Sequence, residues 1–359
     1  MFEHKSALKK QLEKAGRLIS RLFSIKVIQV ALVFLLLLIV SPIILFFILR
    51  PKVQKEIIYG TTFSNRYAQQ MGLNWKETYL NILDDLKAKN IRLVAYWDEI
   101  EKNPDQYDFS NIKWQMDEAE KRELNVILVI GRKVPRYPEC FEPSWWKELA
   151  SDNLREQALL NYMKATVNEF KSYDSLKMWQ VENEPFWPFG MCQKPEIKRD
   201  VVAREIELVR SLDIRPILVQ DSGEGGFWRP TYELGDYLGI SMYRKIWYDF
   251  WHIFMGKFIY FQYPLGNWTY KIKANMVGVP VDKIYVTELQ AEPWGPGINS
   301  ELSQEEADKT MSEVDFMSTI NYAQKSGFKV LYLWGSEWWY FEKIHGNPYY
   351  WDVVKALFR

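Results

Sequence analysis

The chain has 359 residues, with 46 basic and 46 acidic side chains and a formal net charge of zero. That balance excludes the basic footprint of a nucleic-acid-binding protein, so no nucleic-acid partner is expected. Hydrophobic content of 48% is ordinary for a folded chain, whereas 16 Trp within an aromatic share of 16% are more than a core usually requires and suggest an aromatic-lined cleft.

In chain order, residues 1–26 form a basic tail carrying Lys5, Lys9, Lys10, Lys14, Arg17, Arg21 and Lys26. Leu8, Leu12, Ala15, Ile19 and Leu22 recur there at helical spacing, which fits a short amphipathic helix on a membrane surface or a solvated tail. Residues 27–49 are apolar apart from Gln29 and the Ser41-Pro42 pair, and none is charged. About 23 residues at about 1.5 Å each cross a hydrocarbon core of about 30 Å with some tilt. A single transmembrane helix is expected, with the lipid bilayer as its partner. The following Phe46-Phe47-Ile48-Leu49-Arg50-Pro51 offers no small-residue cleavage site, which favours an uncleaved signal anchor over a signal peptide. The basic excess before the span keeps the N-terminus cytoplasmic. Residues 50–359 are then one extracytoplasmic domain held at the cell membrane by a single pass.

From residue 56 onward, short apolar runs alternate with amphipathic stretches. The predicted strands are Ile57–Ser64, Ile91–Tyr96, Val126–Ile130, Met178–Glu182, Pro216–Gln220, Tyr237–Met242, Ile284–Glu288 and Val330–Trp334. After the first, Trp75, Tyr79, Ile82, Leu83 and Leu86 share one helical face. Ser303 and Glu306 have capping-box spacing ahead of an apolar stripe that includes Val314 and Met317. Between the fifth and sixth strands there is room only for a short helix around Pro230 to Leu234. Eight βα units in about 300 residues predict an α/β fold, a (β/α)8 TIM barrel, rather than an open sheet, since no Gly-rich phosphate loop follows the first strand.

An insertion from Arg244 to Asp282 is crowded with aromatic residues, among them Trp247, Trp251, Phe254, Phe258, Phe261 and Trp268. It packs over the barrel rim or dips into lipid headgroups to present a glycolipid. Cys140 and Cys192 are the only cysteines and follow neighbouring strands, so a disulfide is expected in an oxidising compartment. His occurs only at 4, 252 and 345, without ligand spacing, so neither a metal nor another cofactor is expected.

Chemistry in such barrels sits where strands end at the carboxyl face. The fourth strand runs into Asn183-Glu184-Pro185, and the seventh ends Tyr285-Val286-Thr287-Glu288. Two acidic residues at the mouths of opposing strands suit glycoside hydrolysis, which needs a proton donor and a nucleophile or base. Glu292 and Glu337 compete for the second role. Glu182 lies on the face of Glu184 and fits a barrel-core carboxylate paired to Arg92.

Asn183-Glu184-Pro185 and Glu288 at these strand ends resemble the clan A glycoside hydrolases, which include cellulases, mannanases and β-galactosidases. Ile91-Arg92-Leu93-Val94-Ala95-Tyr96-Trp97, followed by Ile100-Glu101 and Tyr107-Asp108-Phe109-Ser110, is similar to the clan's second strand and loop. Tyr243 and Trp334 also fall at clan positions. The resemblance implies a retaining glycosidase of an oligosaccharide, polysaccharide or glycoconjugate, with Glu184 as acid/base and Glu288 as nucleophile. It implies Asn183 on the substrate 2-hydroxyl, Arg92 beneath Glu288, Tyr243 donating to Glu288 and Trp334 as the floor under the attacked sugar. Trp97 and Trp187 join the candidate substrate-binding residues. Where cellulase-type members carry His, after strand three and two residues before the strand-six Tyr, this chain has Gly131-Arg132 and Ser241. The same residues would serve a transglycosylase, and a catalytically inactive carbohydrate-binding barrel is the third reading.

Overall fold

The computed structural model describes residues 14, 16–17, 24–41, 44, 54, 56–192, 195–248 and 259–359. It divides into two compact units, Met1–Arg50 and Pro51–Arg359.

In the first unit, Ser24–Ser41 is a helix of 18 residues, long and apolar enough to cross a membrane by length and composition. At about 1.5 Å per residue it reaches about 27 Å, close to the thickness of a hydrocarbon core. The predicted amphipathic stretch at Leu8, Leu12, Ala15, Ile19 and Leu22 lies outside the described residues, as does the end of the predicted span at residues 45–49.

In the second unit all eight predicted strands form: β1 (Ile58–Thr62), β2 (Asn90–Val94), β3 (Asn125–Ile130), β4 (Leu176–Val181), β5 (Ile217–Asp221), β6 (Tyr237–Met242), β9 (Ile284–Gln290) and β10 (Val330–Trp334). They pair in parallel around a closed ring in the order β1-β10-β9-β6-β5-β4-β3-β2. The strand pairs are joined mostly through helices, as a (β/α)8 barrel requires. Strand periodicity explains what fills it. In β4, Trp179 and Val181 face the helix layer, while Met178 and Gln180 face inward. Ile127, Met178, Leu218, Val330 and Tyr332 form an apolar cluster at one level of the interior. Nearer the carboxyl ends of the strands, Arg92, Gln180, Gln220 and Thr287 replace it with a buried polar layer.

The helix over Trp75–Asp84 buries Tyr79, Ile82 and Leu83 as its pattern implies, and Asn74 caps it by accepting from the amides of Lys76 and Glu77. The short helix between β5 and β6 spans Arg229–Tyr232. Ser303 does cap a helix, Gln304–Met311, but Ser312 then leaves the helical path and caps a second one, Glu313–Gln324. The new start resets the phase, so the buried face is Phe316, Thr319, Ile320 and Ala323. Val314 is left 79% exposed and Met317 36%, which corrects the predicted stripe. The aromatic insertion contains an antiparallel hairpin, β7 (Lys245–Tyr248) with β8 (Ile259–Gln262), and a helix at Thr269–Val277. Trp251, Phe254 and Phe258 lie outside the described residues.

Candidate active site

Five of the predicted site residues converge at the carboxyl ends of the strands. The centre is Arg92 on β2, fully buried. Its Nε donates to Gln180 Oε1 at 2.8 Å, and one terminal nitrogen donates to Asn183 Oδ1 and Gln220 Oε1, both at 2.7 Å. The other terminal nitrogen reaches Glu288 Oε1 at 3.1 Å. Burial pulls the Arg92 pKa down, and the neighbouring charge of Glu288 opposes that pull. A guanidinium suits this place because its planar fork of donors satisfies several acceptors at once. The pairing of Arg92 with Glu182 considered from the sequence is not made. Glu182 instead accepts from the backbone amides of Arg132 at 2.6 Å and Lys133 at 2.7 Å. Gly131 makes room for it: at a φ of 133°, a Cβ there would stand 2.5 Å from Glu182 Oε1.

Glu288 receives three donors: Arg92, Gln220 Nε2 at 2.9 Å and the Tyr243 hydroxyl at 3.1 Å. It reaches them through an irregularity in β9. Ile240 of β6 pairs with Val286, but Ser241 pairs with Glu288; on the other side, Leu331 pairs with Val286 and Leu333 with Leu289. β9 therefore carries one extra residue, a bulge that lets consecutive Thr287 and Glu288 both turn into the barrel. Thr287 Oγ1 donates to Gln220 Oε1 at 2.7 Å, locking the bulge to β5.

Glu184 sits in contrasting surroundings. The turn after β4 places Glu182 at φ 61° and Glu184 at φ 48°, left-handed conformations that cost a residue with a side chain about 1–2 kcal/mol each. Its carboxyl accepts one side-chain hydrogen bond among the described residues, from Ser241 Oγ. Burial raises its pKa well above the usual carboxylate range, and the negative charges of Glu288 and Glu139 add to the rise. Burial also pushes Tyr243 well up, so it stays a donor.

Asn183 commits its Oδ1 to Arg92 and Gln180, and its Nδ2 donates to no described residue. Trp187 is half-buried; its amide donates to the Glu184 carbonyl, and its ring rests where a Cβ on Gly225 would otherwise stand. Trp334 ends β10 as expected, yet the Arg136 guanidinium lies 4.2 Å from its ring centre. Trp97 is a correction. It is 0% exposed, stacks on Tyr162 at 5.3 Å and donates its Nε1–H to Glu101 at 2.7 Å. It opens a helical turn beneath the loop after β2, so its ring serves the core and cannot reach a ligand. Glu292 and Glu337, the rivals to Glu288, both pair with Arg136.

Sequence reasoning missed Glu139, Lys133, Gln220 and Arg136. Lys133 Nζ donates to the carbonyls of Glu184 at 2.8 Å and Trp187 at 2.9 Å and pairs with Glu139 at 3.2 Å. Glu139 is buried, and burial together with the charge of Glu288 pushes its pKa up to about 7, against the pull of Lys133. The next residue, Cys140, forms the disulfide with Cys192, tying the loop after β3 to the loop after Glu184. The cysteine pair was the one signal in the sequence that pointed to this corner.

No family model matches the sequence, and no curated protein matches it. Among solved structures, the chain is similar to xylanase 10B from Thermotoga petrophila RKU-1 in complex with xylobiose, with a TM-score of 0.54 and 14% identity over 85% of this chain and 95% of that one. It is similar to the exo-β-1,4-mannosidase Op5Man5 from Opitutaceae bacterium strain TAV5, with a TM-score of 0.51 and 16% identity over 78% of this chain and 52% of that one. The chain thus spans about half the length of that mannosidase. A GH5_18 protein from Streptomyces cattleya in complex with GlcNAc gives a TM-score of 0.52 and 10% identity over 78% of this chain and 70% of that one. These neighbours are clan A glycoside hydrolases; at such identities the likeness establishes the shared (β/α)8 fold.

Proposed function

We propose that the barrel is a retaining glycoside hydrolase, with Glu184 as general acid/base and Glu288 as nucleophile. The observation that carries this reading is the opposite treatment of two carboxyl groups at one barrel mouth. Three donors, one of them cationic, meet Glu288, whereas Glu184 is buried beside negative charge with a single hydroxyl donor among the described residues. Divergent environments of this kind divide acid from nucleophile.

In the first step Glu288 attacks the anomeric carbon. The glycosidic bond breaks, and Glu184 gives its proton to the departing oxygen. Tyr243 and Arg92 aim the attacking carboxylate. Asn183, with Oδ1 fixed by Arg92 and Gln180, offers Nδ2 to the sugar 2-hydroxyl. In the second step Glu184, now ionised, takes a proton from water as that water displaces Glu288 from the sugar. The site would act outside the cytoplasm, with the apolar N-terminal helix as an uncleaved anchor. The glycan is an oligosaccharide, a polysaccharide or a glycoconjugate.

The test is a screen of the full chain in detergent on 4-nitrophenyl β-glycosides and polysaccharides, with the first-formed anomer followed by NMR. Retained configuration is expected. An inverted product, or no release from any substrate, overturns the proposal.

A further inference from the structure

We infer that the enzyme works on chain ends, removing single sugars from the non-reducing terminus, because Arg136 plugs the cleft beyond Trp334. This rests on the retaining-glycosidase reading above and specifies its mode of action.

In that mechanism the leaving group lies toward Glu184, and the sugar being transferred lies over Glu288 and Trp334. A mid-chain cut needs space for further sugar units past Trp334. The structure fills that direction. Arg136 is clamped between two aromatic rings, 3.8 Å from the centre of Tyr67 and 4.2 Å from that of Trp334. Two carboxylates hold it, Glu292 through one terminal nitrogen and Glu337, at 2.6 Å, through the other. Glu337 has no exposed surface and also accepts from the Ser64 amide at 2.5 Å. Ser64 Oγ hydrogen-bonds the Tyr96 hydroxyl at 2.7 Å, Tyr96 reaches the Pro135 carbonyl, and the Asn299 amide donates to the Tyr67 hydroxyl. The loops after β1, β2, β3, β9 and β10 are thereby stitched into one buried wall. Pulling Arg136 out would strand two buried carboxylates, a larger loss than one further sugar unit in its place would return.

The rim on the other side is built differently. The loop that carries Glu184 presents half-buried Trp187 and Phe189, the latter 36% exposed and packed on partly exposed Trp294 at 5.6 Å. The leaving-group side is thus lined by apolar rings, whereas the wall around Arg136 is salt-bridged. Arg136 also keeps an Nε–H without a hydrogen-bond partner among the described residues, although it is buried. A terminal sugar brings a free hydroxyl to that end, at the position where a mid-chain unit carries its neighbour. That hydroxyl would accept from Nε.

The experiment uses the full chain in detergent with paired probes, 4-nitrophenyl β-monoglycosides and the 4-nitrophenyl β-disaccharides of the same sugars. The expected course on a disaccharide probe is release of monosaccharide first, with nitrophenol following after a lag. Intact disaccharide and nitrophenol appearing together without a lag overturns end-wise action and leaves the glycosidase reading standing. Silence on every probe removes both. Arg136→Ala should lower turnover of the monoglycoside at least 100-fold and open a route to intact disaccharide release. Tyr67→Leu, which leaves both ion pairs in place, should shift the product ratio the same way. Unchanged products from both folded variants would show that the plug does not set the mode of action.

Discussion

Ser241, at the mouth of β6, donates its hydroxyl to Oε1 of Glu184 at 2.7 Å. A donor to a carboxylate favours the ionised form, while the negative charge of Glu139 disfavours it. The two neighbours pull Glu184 in opposite directions, and that opposition is measurable. Glu184 must be protonated for the first chemical step, so kcat/KM falls as pH rises through its raised pKa. Ser241→Ala should move this alkaline limb to higher pH, and Glu139→Gln should move it to lower pH. Shifts of the same sign in both variants would contradict the assignment of Glu184 as the acid.

Chemical rescue separates the two carboxylates. Glu288→Gly should abolish turnover, and added azide should restore it with an inverted glycosyl azide as product. Glu184→Ala should still be glycosylated by a substrate with a good leaving group, and azide should then speed the second step to a product of retained configuration. Wild-type activity in either variant on an unactivated substrate would mean that another carboxylate does that work.

Glu139 also links stability to pH. Its ordinary value of 4.5 is raised to about 7 in the fold, chiefly by burial. Below about pH 4.5 the group is protonated folded and unfolded, so its contribution is fully present. As pH rises through 7 the fold must ionise a buried carboxyl that the unfolded chain ionises freely. The unfolding free energy should therefore drop by up to about 3 kcal/mol over that window, and Glu139→Gln should lose that part of the dependence. Urea titrations of both proteins at pH 4.5 and 8, followed by Trp fluorescence, measure it. An equal drop in the two proteins rejects the argument.

Arg92 is the charge on which the polar layer depends. Arg92→Ala leaves Glu288 without its cation and strips donors from Gln180, Asn183 and Gln220. The expected cost is about 3–5 kcal/mol in denaturant unfolding, with loss of activity. Arg92→Lys keeps the charge but not the fork of donors, so activity should stay low even if much of the stability returns. A fully active lysine variant would show that charge alone suffices.

Membrane orientation has its own test. Protease added to intact cells should degrade the barrel and spare a tag on the N-terminus. Survival of the barrel until lysis would reverse the proposed topology.

Much of this architecture was legible in the sequence because a barrel strand is short, apolar and alternating, and Met178 and Gln180 fall two apart on β4, with Glu182 the first residue after it. The polar layer around Arg92 was legible in part: Arg92 stood within a recognisable second strand and Asn183 just after the fourth, but Gln220 read as an ordinary strand residue. Trp97 was misassigned because its position after β2 matched a cleft residue, while its contact with Tyr162, 65 positions along the chain, is a tertiary fact. The helix after Ser303 failed through local competition, since Ser312 offers the backbone a cap in mid-pattern. Arg136 and Glu139 stood in a loop without periodicity; Glu139 pairs with Lys133 in that same loop, while the partners of Arg136, Glu292 and Glu337, lie 156 and 201 positions along the chain.

The bulge in β9 has a consequence for how this gene can change. Val286 and Leu289 face the helix layer, while Thr287 and Glu288 both face inward. Deleting Thr287 would therefore give β9 regular alternation with Glu288 still opposite Ser241 and still inside the barrel. What would go is the bond from Thr287 to Gln220 that locks β9 to β5. The bulge is thus a feature that the loss of a single codon can remove without reversing the faces of the strand.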